Sequence, residues 1–223
     1  MGTLYIVPTP IGNLEDMTLR GIEVLRAARL IAAEDTRHSR KLLNHFAIKT
    51  PLTSYHEHNK LTKAEAILDA LAVGDVALIS DAGTPGISDP GYELVNFALS
   101  AGYPVIPLPG PSAILTALVA SGFSAQPFRF YGFPPRKDKA LREFLESIGS
   151  LPETLIFFES PNRLVKTLET FHTLPSFQLR RVVVGVEMTK YYEEFRRGTP
   201  AELAAYFKKQ PIRGEVTFVV EGK

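Results

Sequence analysis

The chain has 223 residues, 45% of them hydrophobic and 22% charged, which excludes a disordered or fibrous protein and leaves room for one large domain or two small ones. Its 25 basic and 24 acidic residues leave a net charge of +1, so no global field announces nucleic acid, membrane or an acidic substrate, and such a partner must be met by a local patch. With no cysteine there is no disulfide, no thiolate metal site and no sulfur nucleophile, a composition that suits the reducing cytoplasm.

The first predicted element is a strand, Leu4–Pro8, with no basic segment and apolar core ahead of it to mark a signal peptide. A helix over Leu19–Ala28 and a strand over Leu30–Ala33 follow. Leu61, Ala64, Leu68 and Leu71 share one face of a helix over Thr62–Ala72, where Thr62 and Glu65 have capping-box spacing. Strands over Val76–Ser80 and Pro104–Leu108 complete a βαβ alternation, the pattern of a mainly parallel sheet. The apolar stretch Val105–Phe123 is interrupted by Pro107, Pro109, Gly110 and Pro111, so it reads as strand, turn and helix rather than as a membrane span.

Asp89-Pro90, Ser160-Pro161 and Thr199-Pro200 each place a capping side chain before a residue suited to the first helical turn, and Glu202 adds capping-box spacing to Thr199. The second half mixes strands over Thr154–Phe158, Val182–Val186 and Val216–Val220 with helices over Lys139–Ile148, Leu164–Phe171 and Ala201–Phe207. The expected organisation is a mainly parallel α/β domain over residues 1–113 and a mixed α/β domain over residues 114–223. Within the second, Phe128–Arg142 sets five basic residues against one acidic one, with Tyr131 and Phe133 among them. Rings stack bases and cations meet phosphates, so this segment suits a nucleic acid strand, although a solvated connection has the same composition.

In a parallel sheet, ligands gather beyond the carboxyl ends of the strands. Three loops leave strands there: Val7–Asn13, Ser80–Gly91 and Leu108–Ala113. The first has neither the glycine spacing of a dinucleotide fingerprint nor the lysine of a phosphate loop. The second puts Asp81 at a strand end beside Gly83, Gly86 and Gly91, a setting for a polar, cationic small molecule. His56-Glu57-His58 has no further ligand at metal-binding spacing, so no metal is assigned and the run reads as a surface loop. Tyr191-Tyr192 and Arg196-Arg197 read as a solvated strand or one turned toward RNA.

The runs VPTPIGN, AAEDTR, SDAGTPGISDPG, PLPGPSA, FFESPNR and GEVTFVVEG, in this order along nearly the whole chain, resemble the ribosomal RNA small-subunit methyltransferase I family, within the tetrapyrrole methylase superfamily. The resemblance implies a tetrapyrrole-methylase-like α/β fold of two domains with S-adenosyl-L-methionine in the cleft between them. It also implies a homodimer and 2′-O-methylation of a cytidine in the decoding region of 16S ribosomal RNA, within the 30S subunit. The cofactor contacts it implies are Pro8 and Gly12, then Asp81, Gly83, Thr84, Pro85 and Ile87, then Ser112 and Ala113. From the second domain it implies Phe158, Glu187 and the strand entry Gly214, Glu215, Val216 and Thr217.

Methyl transfer from a sulfonium is an in-line displacement, so alignment dominates, and a base or cation near the ribose hydroxyl assists it. The candidates are Glu34, Asp35 and Arg37, followed by Asp89, Glu159 and Lys190; Glu34 or Asp35 has the alternative of capping the next helix or pairing with Arg37. Two rival readings keep the cleft: a methyltransferase acting on a small tetrapyrrole, and a non-catalytic RNA-binding module. Relatives are expected to continue past Val216–Val220 into a small helical module, whereas this sequence stops at Lys223.

Overall fold

A computed structural model describes residues 2–57, 59–210 and 212–223, and divides them into two compact units, Met1–Ser112 and Ala113–Lys223. His58, from the His56-Glu57-His58 run, lies outside the described residues.

The first unit is a five-stranded sheet of β1 (Leu4–Ile6), β2 (Leu30–Ala33), β3 (Leu52–Ser54), β4 (Val76–Ile79) and β5 (Val105–Pro107), ordered β3-β2-β4-β1-β5. Every pairing is parallel. Four helices connect the strands: α1 (Leu19–Ala27), α2 (Thr36–His45), α3 (Lys60–Val73) and α4 (Tyr92–Ser100). β4 lies in the centre and is buried over its whole length, which is why it is apolar at every position rather than alternating. Ala77 and Ile79 face a core with Val7, Leu25 and Ile31, and Val76 and Leu78 face one with Leu4, Ile67, Leu71 and Leu94. All five carboxyl ends therefore emerge on one edge.

The second unit contains α5 (Ala113–Ser121), β6 (Phe128–Phe130), α6 (Asp138–Ile148), β7 (Thr154–Glu159), α7 (Pro161–Thr173), β8 (Val182–Val186), β9 (Glu194–Gly198), α8 (Pro200–Phe207) and β10 (Val216–Val220). The sheet order is β6-β7-β10-β8-β9; β6 runs parallel to β7 and the other pairs are antiparallel. Its core centres on Phe157 and Phe218, stacked at 4.9 Å, with Phe171 edge-on to both. One strip of α6, Leu141, Leu145 and Ile148, is buried against this core.

Two predicted caps are corrected. Helix α3 starts at Lys60, and the Thr62 hydroxyl sits inside its first turn, donating to the Asn59 carbonyl (3.0 Å), so Thr62 and Glu65 form no capping box. Helix α4 starts at Tyr92 behind Gly91, which leaves Asp89 in the loop rather than at the cap. Ser160 does precede α7, with Pro161 in the first turn, but its side chain makes no cap hydrogen bond. At Thr199 the full capping box is present. Helix α2 and strand β3, absent from the sequence reading, are short elements whose apolar content is low: α2 buries only Ser39, Leu42 and Leu43.

Candidate functional site

The three strand-end loops of the first unit are fastened to one another by their own backbone. Thr9 and Gly83 exchange two N–H···O bonds of 2.9 Å, and the Thr9 hydroxyl donates to the Ser80 carbonyl (3.1 Å). The Thr84 hydroxyl donates to the Pro111 carbonyl (3.3 Å), tying the second loop to the third. Gly110 closes the ring, since a Cβ there would lie 2.7 Å from the Pro8 Cβ. Gly83 has φ +77°, a left-handed conformation that glycine adopts without cost, and it turns the chain back toward the first loop.

These contacts bring together Pro8, Asp81, Gly83, Thr84 and Pro85, with Ser112 just beyond Pro111 at the end of the unit; Ala113 opens α5 of the second unit. Gly12 and Ile87 stand outside this set, on exposed parts of the loops. The loop after β2 joins at Asp81: the Asp35 N–H donates to Asp81 Oδ1 (3.2 Å), and the Asp81 N–H lies 3.5 Å from Glu34 Oε2.

The AAEDTR candidates separate into different environments. Asp35 caps α2, accepting from the Arg37 N–H (2.8 Å) and pairing with its guanidinium (2.8 Å), which hold the carboxyl far below the ordinary range. Arg37 itself projects into solvent, with 88% of its side chain exposed. Glu34 is half-buried, and burial first, then the charges of Asp89 and Asp81, push its pKa up against the opposing Asp81 N–H. A carboxylate with a raised pKa is a stronger proton acceptor than an ordinary one. It opens onto a 560 Å³ pocket shared with His56, Glu57, Asp89, Tyr92 and Glu93. His56, Glu57 and Tyr92 were missed as site residues because β3 and the true start of α4 were not visible; four carboxylates here make the pocket strongly acidic.

In the second unit, Phe158 and Thr217 are direct partners across β7 and β10. Glu187, Gly214 and Glu215 gather at the end of β8 and β10, where the Glu187 carboxylate accepts from the Glu215 N–H (3.2 Å) and Lys190 Nζ (2.8 Å). Gly214 has φ +67°, which strains any L-residue, and a Cβ there would fall 1.6 Å from Glu187 Oε1 and push that carboxylate aside. Burial lowers the Lys190 pKa, but Glu187 and Glu215 outweigh it and raise the net value, so Lys190 stays a cation and is unsuited to be a base. Glu159 is 2% exposed and accepts from Thr167 Oγ1 (2.7 Å), the Ser160 N–H (2.8 Å) and, at 3.4 Å, Arg163. Its oxygens are occupied in holding the start of α7.

Among the described residues no group of three or more His, Asp or Glu side chains is placed to hold a metal ion, and no helix is long and apolar enough to cross a membrane.

The profile of the Tetrapyrrole (Corrin/Porphyrin) Methylases matches residues 3–204. Ribosomal RNA small subunit methyltransferase I of Halalkalibacterium halodurans is 52% identical over 99% of this chain and 76% of its own length. The protein of that name from Bacillus subtilis is 50% identical over 100% of the chain and 76% of its own. Among solved structures, a diphthine synthase superposes with a TM-score of 0.77 at 13% identity, covering 100% of this chain and 90% of its own. A Thermus thermophilus uroporphyrin-III C-methyltransferase complexed with S-adenyl homocysteine gives 0.66 at 19% identity, covering 99% and 97%. At such identities the two structures speak for the fold alone.

Proposed function

The chain belongs to the ribosomal RNA small subunit methyltransferase I family of the tetrapyrrole methylases, and from that premise we propose that it transfers a methyl group from S-adenosylmethionine to the 2′-hydroxyl of a cytidine in the decoding region of small-subunit ribosomal RNA. The observation that carries the reading is the ring of three latched loops around Asp81, with Glu34 on the same sheet edge. The cofactor is a cation with a ribose, and the residues present fit it. Asp81 and Glu34 have no basic partner among the described residues, so their charge is available to a sulfonium, an ammonium or ribose hydroxyls. Gly83 turns in the left-handed region, and its missing Cβ leaves backbone groups open to a close ligand.

When bound, S-adenosylmethionine supplies an activated methyl group on a positively charged sulfur. Pro8, Asp81, Gly83, Thr84, Pro85 and Ser112 bind and orient it from the first unit, with Gly12 and Ile87 at the loop edges. Ala113, Phe158, Glu187, Gly214, Glu215 and Thr217 contribute from the second. Glu34 accepts the proton of the ribose hydroxyl at its carboxylate as the oxygen attacks, a role suited to its raised pKa. Asp35, charged and tied to Arg37, holds the loop after β2 in register with Asp81.

The working unit is a homodimer. Leu115 and Val119, one turn apart on α5, expose apolar side chains (53% and 79%) of the kind a subunit contact covers. Incubating the protein with labelled S-adenosylmethionine and small ribosomal subunits that lack the modification should place label in RNA, in a 2′-O-methylcytidine that resists alkaline hydrolysis. No transfer to subunits, free RNA or assembly intermediates would overturn the reading, and label on the base would overturn its ribose assignment.

A further inference from the structure

The second unit contains a pocket that the cofactor and the proton acceptor leave unused. It measures 620 Å³ and is lined by Phe133, Pro134, Pro135, Arg136, Ser160 and Arg163. Phe133 is 59% exposed, although its ring also packs edge-on against Phe158 at 5.7 Å. An aromatic ring held on one side and open on the other is a stacking platform.

The loop that carries it is rigid. Pro134 and Pro135 restrict the backbone, and Arg163 Nη2 donates to both of their carbonyls (3.2 and 2.9 Å). Glu159 anchors Arg163 from below at 3.4 Å, so this guanidinium is committed to positioning the loop.

Charge is distributed unevenly around it. Arg129 pairs with Glu153, Lys139 with Glu143 and Lys166 with Asp138, all through ion pairs of 2.5 to 3.8 Å. Arg136 and Lys137, both exposed, have no such carboxylate partner among the described residues. Arg142 on α6 also lacks a carboxylate and donates to the Thr173 hydroxyl (3.0 Å), so Arg136 and Lys137, just past Pro134-Pro135, are the uncompensated pair nearest Phe133 in the chain.

We infer that this pocket binds one unpaired nucleotide of the RNA substrate, its base stacked on Phe133 and its phosphates met by Arg136 and Lys137. The inference rests on the reading of the chain as an RNA methyltransferase, and adds where on the second unit the RNA is gripped. A base offers a π-face to one exposed ring and a phosphate offers charge to two free cations, whereas a purely apolar ligand would leave both cations unused. Phe158, against which Phe133 packs, is one of the side chains assigned to the cofactor, so the platform adjoins the reacting group's own residue.

The test compares the full-length protein with its Phe133→Ala, Phe133→Tyr and Arg136→Gln variants on small ribosomal subunits lacking the modification. Phe133→Ala should weaken subunit binding by about 5- to 100-fold, the range of one lost base–aromatic stack, and Phe133→Tyr should restore it. Arg136→Gln should weaken binding most at low salt and lower the slope of log affinity against log salt by roughly 0.7. Calorimetric affinity for S-adenosylmethionine should be unchanged in all three. Wild-type methyl transfer with unaltered subunit binding by Phe133→Ala and Arg136→Gln would overturn the pocket while leaving the enzyme reading intact. Weakened cofactor binding by Arg136→Gln, which leaves the Phe133–Phe158 packing in place, would assign the pocket to the cofactor instead. Weaker binding to subunits with unchanged binding to the naked RNA would point to a ribosomal protein and overturn the assignment to RNA. A wild-type protein that methylates no RNA would remove the premise, and the pocket assignment with it.

Discussion

Gly83→Ala separates the conformation of the cofactor loop from its packing. At φ +77° an L-residue meets its own carbonyl, at a cost of about 1–2 kcal/mol. Space is not the obstacle, because a Cβ would find Ile11 at 3.5 Å and the Pro111 carbonyl at 3.8 Å, both ordinary contacts. Gly122 is a matched control: its φ is +74° and nothing lies within 4 Å of its would-be Cβ, but it belongs to the second unit and takes no part in the latches. Both alanines should therefore lose about 1–2 kcal/mol of stability if the backbone holds, on the order of 4 °C per kcal/mol for a unit of this size. Where the backbone yields instead, the same free energy reappears on binding, as the loop is forced back to its working shape. For Gly83→Ala the two losses together should come to about 1–2 kcal/mol, so the cofactor Kd should rise by up to roughly 5- to 30-fold, with less loss of Tm the more affinity is lost. Gly122→Ala should change Tm alone. Thermal melts and calorimetry with S-adenosylmethionine measure both quantities. Unchanged Tm and unchanged Kd in Gly83→Ala, or equal losses of affinity in the two variants, would refute the reasoning.

Asp81→Ala should weaken cofactor binding by about 10- to 100-fold, the range for a hydrogen bond to a charged group, without loss of the folded state; calorimetry and far-UV circular dichroism check it. Glu34→Gln should lower kcat by roughly 10²- to 10⁴-fold, a larger loss than its loss of cofactor affinity. The same variant should be more stable than the parent at neutral pH. The Glu34 pKa is raised in the fold, so its contribution to stability is present below the unfolded value of 4.5 and is lost as pH rises through the folded value, and glutamine removes that loss. A Tm advantage of Glu34→Gln that grows from pH 4 upward is the expected signature, and an advantage at low pH only would contradict it. Thr167→Val leaves the buried Glu159 carboxylate without its 2.7 Å hydroxyl donor and should cost about 1–3 kcal/mol in chemical denaturation, with cofactor affinity unchanged; a loss of affinity alone would give Glu159 a place in the site.

The three latched loops were legible because their signals are local. Three runs rich in glycine and proline follow three apolar strands, and a parallel sheet must deliver their ends to one edge. The environment of Glu34 was not legible, because it depends on distant parts of the chain. Asp89 reaches it from a loop that sequence spacing had turned into a helix cap, and His56 and Glu57 arrive in the loop after β3, a three-residue strand with no alternation to mark it. In the same way AAEDTR presents three charged residues as equals. Only the fold separates a capping Asp35 tied to Arg37 from a half-buried Glu34 that repels its neighbours. Glu159 was a plausible base in one dimension, yet Thr167 and Arg163 on the next helix take up its oxygens.

The net charge of +1 conceals two opposite local fields, and their separation follows from the two sheets. The all-parallel first sheet gathers the loop carboxylates Glu34, Glu57 and Asp89, with Glu93 from the first turn of α4, around one pocket at its edge. In the second unit, β6 is an edge strand that leads into the Phe133–Lys137 loop, where Arg136 and Lys137 have no ion-pair partner among the described residues, the adjacent Asp138 being paired with Lys166. A cationic cofactor and a polyanionic substrate require fields of opposite sign. A uniformly basic surface would bind RNA more tightly but would oppose a sulfonium, and a uniformly acidic one would do the reverse. A net charge of +1 is therefore compatible with both fields when each stays local, and reversing charge in the acidic pocket should weaken cofactor binding in calorimetry while strengthening binding to RNA at low salt.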